Sequence, residues 1–295
     1  MDRFPLPVAL ADAVAQEDSP ERTDWLARLP ELVRALAVRW SLTVGPPYQP
    51  GGVASWVAPA RDASGRDVVL KVGWSHFESA HEADGLAAWD GRGAVRLHDV
   101  HVDGPTTALL LERCVPGTTL RAALPEPEQD EVVAALLRKL WHEPGAGHPF
   151  RPLASMCDAW ADAFDEDYAG RPGDLDPGIA RAAMDLFRGL PRDAGPHLLL
   201  VTDLHADNVL AARREPWLLI DPKPYVGDPT YDVLQHLLNC RDRLVADPRG
   251  SVRRMAALAD VDAERAERWL FARAVQQSLD PPWRWLRPVA RALAP

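Results

Sequence analysis

Long apolar runs are missing from this sequence. The longest, such as Ala108 to Leu111 and Leu198 to Val201, fall far short of the roughly 20 residues that a membrane-spanning helix needs, so no membrane partner is expected. Cysteine is scarce. Cys114, Cys157 and Cys240 are odd in number, and no two form a CxxC pair. That argues against a disulfide framework and a zinc site, and a reducing, cytoplasmic setting is the expectation. Positive charge is outweighed: 33 Lys and Arg face 43 Asp and Glu, a net charge of -10. Nucleic acid and anionic lipid surfaces repel such a balance, whereas a cationic small molecule is attracted. The fairly apolar stretch Phe4 to Ala15 ends in small residues, as a leader peptide does. Asp2 offsets Arg3 and Asp12 interrupts the stretch, which argues against that reading. There is no internal repeat.

What the chain does have is ample core-forming material, with 47% hydrophobic residues in 295. That length allows two domains. Trp25, Leu29, Leu32, Leu36 and Trp40 recur at helical spacing and predict a helix over 21–40, which Pro30 is expected to split or kink. Pro46, Pro47, Pro50, Gly51 and Gly52 then break the chain. Two short β-rich runs follow, 53–57 and 68–72, with a hairpin turn at Ser64-Gly65-Arg66-Asp67 between them. A helix is predicted over 77–89, and a second hairpin over 94–102 and 106–111, turned at Asp103-Gly104-Pro105.

Beyond Pro116-Gly117 the pattern becomes mainly helical, with helices expected over 120–124, 131–142, 153–164, 179–187, 231–243 and 263–279. One β-like island interrupts them at 198–201, 209–212 and 217–220. The fold class is therefore α+β. A small antiparallel-sheet lobe with a leading helix is placed at residues 1–113, and a larger helical lobe at 114–295.

The chemistry concentrates in Thr202-Asp203-Leu204-His205-Ala206-Asp207-Asn208 and in Leu218-Leu219-Ile220-Asp221-Pro222. A hairpin between these segments would bring Asn208 and Asp221 together beside Asp203. Two carboxylates and an amide oxygen suit a hard divalent cation such as magnesium. Taken alone, the same residues also read as a polar turn with local caps. Upstream, Lys71 sits inside the apolar run Val68-Val69-Leu70-Lys71-Val72, where an ammonium is costly unless it meets an anion. Glu82, on the following helix, can face the sheet and supply one; the alternative is an edge-strand lysine that snorkels to water beside an exposed glutamate. Gln49-Pro50-Gly51-Gly52-Val53-Ala54-Ser55 is a glycine-bearing turn whose backbone amides could approach a phosphate.

The order of these features resembles the protein kinase-like bilobal fold. More closely it resembles the aminoglycoside 6-phosphotransferase (streptomycin 6-kinase) and hydroxyurea phosphotransferase family. The likeness rests on Ser41-Leu42-Thr43-Val44-Gly45-Pro46-Pro47, the stretch from Gly51 to Val72, and Leu109 to Gly117. Its most specific parts are Ile220-Asp221-Pro222-Lys223-Pro224 and Gly227-Asp228-Pro229-Thr230-Tyr231-Asp232. It spans roughly residues 25 to 280.

The resemblance implies ATP and Mg2+ as cofactors. Lys71, held by Glu82, would bind the α- and β-phosphates, and Gly52 and Ser55 would serve the phosphate loop. Backbone groups around Glu112 and Cys114 would receive adenine. Asn208 and Asp221 would hold the magnesium, and Asp203 would orient the acceptor hydroxyl and take its proton. Phosphoryl transfer is mostly positioning and charge neutralisation, so these roles suffice for it.

The implied acceptor is a cationic antibiotic of the streptomycin type, inactivated by a monomeric enzyme. Hydroxyurea or another metabolite hydroxyl, or a non-catalytic nucleotide-binding role, are the alternatives. Two departures stand out. Val201-Thr202-Asp203 occupies the place where the family usually has His-Gly-Asp, whose histidine braces the catalytic loop. The phosphate loop is also poor in glycine after Gly52. Asp158, Asp162, Asp165, Glu166 and Asp167 form an acidic stretch that reads either as a solvated helix end or as a lure for a cationic ligand.

Overall fold

The computed structural model of the chain describes residues 4–75, 77, 80–171, 175–193 and 195–295. Its backbone divides into two compact units, Met1–Gly117 and Thr118–Pro295.

The first unit is built on a five-stranded antiparallel sheet. Its strands are β1 (Thr43–Val44), β2 (Ser55–Arg61), β3 (Asp67–Trp74), β4 (Leu97–Asp103) and β5 (Thr106–Glu112), in the order β1-β2-β3-β5-β4. Alternate residues of β2 and β3 point to opposite faces. Trp56, Ala58, Leu70 and Val72 take one face and meet two helices, α1 (Val8–Gln16) and α2 (Pro20–Arg39), which contribute Leu10, Val14, Trp25, Leu29, Val33 and Leu36. Lys71, out of step with that set and opposite Val57 and Leu109, lies on the other face.

Pro30 does not end α2, which runs continuously from Pro20 to Arg39. The lost backbone bond is outweighed because residues on both sides of the proline are locked into the same core. The stretch that could pass for a leader is α1, with Leu10 and Val14 buried. The helix expected from residue 77 is observed as α3 (Glu82–Trp89), and residues 76, 78 and 79 lie outside the described ones.

The second unit is mainly helical. Its helices are α4 (Leu120–Ala123), α5 (Glu126–Leu140), α6 (Leu153–Ala169), α7 (Pro177–Gly189), α8 (Leu234–Leu238), α9 (Arg241–Ala246), α10 (Pro248–Ala259), α11 (Ala263–Gln277) and α12 (Leu286–Leu293). The expected β island is not one sheet. β7 (Val209–Ala211) pairs with β8 (Trp217–Leu219), whereas β6 (Leu198–Leu200) pairs with β9 (Tyr225–Gly227), a strand that the sequence pattern did not reveal.

The helix expected over 231–243 is broken into a 3₁₀ turn (Pro229–Val233), α8 and α9. Tertiary bonds explain the break. Asp228 caps the turn at Thr230 and accepts bonds from Arg265 and Trp269, and Asp232 turns inward to the segment preceding Asp203. α10 and α12 were also missed. The Asp247-Pro248 pair ahead of α10, a capping carboxylate followed by proline at the first helical position, was a legible start signal for it.

Candidate active site

In the first unit, the Lys71 ammonium donates to both carboxylate oxygens of Glu82 at 2.7 Å. The side chains are only 12% and 7% exposed, so the pair is held away from water. β3 presents the lysine, and α3 brings the glutamate on its first turn. Ser55 opens β2 opposite Gly73, and a Cβ on Gly73 would stand 2.7 Å from the Ser55 hydroxyl. That glycine makes the room the hydroxyl occupies.

Gly52 lies in the loop before β2 with open space around its α-carbon. Its neighbour Gly51 is the constrained residue, with φ of 81° and no room for a side chain against Pro7. Glu112 closes β5, and its carboxylate accepts the Arg96 N–H at 3.0 Å. Cys114 follows it, buried.

In the second unit, Asp203 follows β6 by a short loop. Gln235 of α8 donates to its Oδ1 at 2.9 Å, and the Lys223 ammonium stands 3.2 Å from its Oδ2. The Asp203 backbone carbonyl accepts from the Asn208 side-chain amide at 3.1 Å. That bond commits the Asn208 nitrogen, so its side-chain oxygen is the atom that could serve as a ligand. The β7–β8 hairpin brings Asn208 beside the end of the next strand, where the Ile220 N–H donates to the Asn208 carbonyl at 2.9 Å. Asp221 follows at once, in the left-handed region at φ of 53°. Burial raises the Asp203 pKa, with the Asp221 charge adding to the effect, and Lys223 and His205 oppose it. Burial lowers the pKa of His205, which favours its neutral imidazole, and Asp203 and Asp207 oppose the shift.

Among the described residues, no group of three His, Cys, Asp or Glu side chains could hold a metal ion unaided. Asn208 and Asp221 offer two oxygen atoms, a donor set of the kind that would suit a magnesium ion whose remaining sites went to phosphate and water.

The loop before Asp203 is braced without a histidine. The buried Asp232 carboxylate accepts the Val201 N–H at 2.9 Å, the Thr202 N–H at 2.8 Å and the Trp141 indole N–H at 2.9 Å. Burial pushes its pKa up to about 6, although those three donors favour the ionised form. Thr202 stands at φ of 53°, where glycine is at ease and a β-branched residue is strained, and its hydroxyl donates to the Lys223 carbonyl at 2.5 Å.

Sequence reasoning missed Gln235 and the bracing role of Asp232, because both stand some 30 residues beyond the loop they contact. Three of the five carboxylates in the acidic stretch on α6 have arginine partners, and Glu166 and Asp167 are exposed. Asp162 and Asp165 pair with Arg188, and Asp158 pairs with Arg192.

The model of one family, described as aminoglycoside/hydroxyurea antibiotic resistance kinase, matches residues 39–280. The chain belongs to this family. A streptomycin 6-kinase of Streptomyces griseus is 35% identical, over 94% of this chain and 91% of its own length. A hydroxyurea phosphotransferase of Kitasatospora aureofaciens is 34% identical, over 93% of this chain and 79% of its own. Among solved structures, a choline kinase from Streptococcus pneumoniae superposes with a TM-score of 0.59 at 12% identity, covering 89% of this chain and 97% of that one. That likeness shows the protein kinase-like fold. The family's kinases are phosphotransferases, and none of the helices described here is long and apolar enough to cross a membrane.

Proposed function

We propose that the protein transfers the γ-phosphoryl group of ATP, with Mg2+, to a hydroxyl of a streptomycin-like aminoglycoside and so inactivates it. The observation that carries this reading is the carboxylate of Asp203, oriented on one oxygen by Gln235 and accompanied on the other by Lys223. A carboxylate fixed in this way can align an incoming hydroxyl and take its proton as the phosphoryl group arrives. Asn208 and Asp221 would hold the metal, which neutralises phosphate charge when bound. Lys71, held by Glu82, would meet the phosphates, and the segment around Glu112 and Cys114 would receive the base. The net charge of -10 favours approach of a polycationic acceptor. We place the protein as a monomer in the cytoplasm.

The identity of 34% to a hydroxyurea phosphotransferase favours hydroxyurea as the second reading. ATP consumption by the purified protein, measured across a panel of aminoglycosides with hydroxyurea included, separates the two. Turnover with streptomycin-type compounds is the expected result. Turnover with hydroxyurea alone replaces the acceptor, and nucleotide binding with no turnover on any acceptor favours a non-catalytic role.

A further inference from the structure

The loop between β1 and β2 has no glycine after Gly52, and several contacts from one neighbouring segment hold it. The Trp56 indole N–H donates to the Pro5 carbonyl at 3.0 Å. The Val8 N–H donates to the Gln49 side-chain oxygen at 3.1 Å, and the Ala9 N–H donates to the Pro50 carbonyl at 3.0 Å. These are two of the orphan donors at the start of α1, so the loop caps the helix while the helix holds the loop.

Pro7 fills the space beside the left-handed Gly51, where a Cβ would come within 2.5 Å of the proline ring. From α2, Arg22 donates to the Val53 carbonyl at 2.7 Å, and the Ala54 carbonyl accepts from Trp74 at 3.3 Å. The carbonyl oxygens of Pro50, Val53 and Ala54 are thus taken. The backbone N–H groups of Gly51, Gly52, Val53 and Ala54 donate to none of the described residues. Successive backbone donors left over in this way suit an anion.

We propose that residues 4–16 act as a clamp that pre-shapes the phosphate loop, and that Gln49 is its positioning residue. This rests on the proposed function, since it takes the loop's anion to be a nucleotide phosphate. A loop ordered in advance loses less conformational freedom when ligand arrives, so the clamp sets nucleotide affinity rather than chemistry. Gln49 is exposed, which makes Gln49→Ala a mild change to the fold.

The test is the dissociation constant of a non-hydrolysable ATP analogue for the full chain, together with kcat, both KM values and the melting temperature. Gln49→Ala and Gly51→Ala are expected to weaken analogue binding three- to tenfold, leaving kcat and the acceptor KM within twofold. Unchanged analogue binding in a folded Gln49→Ala protein overturns the proposal, as does an equal loss on the acceptor KM. If Gly51→Ala fails to fold, Gln49→Ala decides alone. Wild-type protein that binds the analogue but phosphorylates no antibiotic sinks the acceptor reading and leaves the clamp standing. Wild-type protein that binds no nucleotide sinks both.

Discussion

The charged centres of the two units are made in different ways. Lys71 meets Glu82 from a strand and the helix that follows it. Asp203 is held by Gln235 and Lys223, and the chain leading to it by Asp232. A pair drawn from neighbouring elements is set as soon as those elements form. A carboxylate gripped from remote points depends on the folding of everything between, and in return its orientation is over-determined.

The largest effect should separate the two centres by which constant they move. Asp203→Ala is expected to lower kcat by about 10³-fold, the scale of a lost positioned base, with nucleotide affinity little changed. Lys71→Met should instead weaken nucleotide binding as well as turnover. Steady-state kinetics beside nucleotide titration reads the split, and equal losses of affinity in both variants would erase the contrast.

Next is the anchoring of α8, the helix that carries Gln235. His236 donates through Nε2 to the buried Asp130, which also takes bonds from Arg243 at 2.5 and 2.7 Å and from Arg254 at 3.1 Å. Burial pushes the Asp130 pKa up, but the His236 and Arg243 contacts outweigh it and hold the pKa at about 2. Removing the charge by Asp130→Asn takes the buried counter-ion from Arg243 and Arg254, leaving them only Glu126 and Glu131 among the described residues, and should cost about 3 kcal/mol at neutral pH, read by denaturant unfolding. Because the folded pKa lies below the ordinary carboxylate value, this stability is present above about pH 4 and is lost as pH falls toward about 2. The gap between wild type and variant should close over that window.

A smaller effect is expected from Gln235→Leu, which removes the donor to Asp203 Oδ1. A carboxylate free to turn should lower kcat by about tenfold with nucleotide affinity unchanged, because misorientation taxes the chemical step alone. A fall in melting temperature that tracks the loss of activity would mean that the residue merely packs. Smallest of all is Thr202→Gly. Relief of the left-handed backbone, worth about 1–3 kcal/mol, opposes loss of a hydrogen bond worth about 1 kcal/mol and the greater freedom glycine has when unfolded. The melting temperature should move by no more than a few degrees.

The first of these centres could be read almost completely from the sequence. An ammonium inside an apolar strand demands an anion, and helix periodicity offered Glu82. The Asn208–Asp221 hairpin was equally legible, because β7, its turn and β8 are contiguous. The loop before β2 was half legible. The sequence draws the eye to Gly52, but Gly51 is the glycine under constraint, because the cause is Pro7 packing from outside the loop. Gln235, the bracing by Asp232 and strand β9 could not be read. Each is fixed by a partner some 30 residues away, and no local period records that distance. The single helix expected over 231–243 failed for the same reason, since Asp228 and Asp232 spend their side chains on tertiary bonds.

All three cysteines are buried, Cys114 in the first unit and Cys157 and Cys240 in the second. Burial raises the thiol pKa of Cys157 and holds that of Cys240 at about 11, so neither exists as a thiolate at neutral pH. The folded protein should therefore ignore alkylating reagents that stain it once it opens. Because the thiols are divided between the units, the mass of the labelled peptide would report which half of the molecule had breathed.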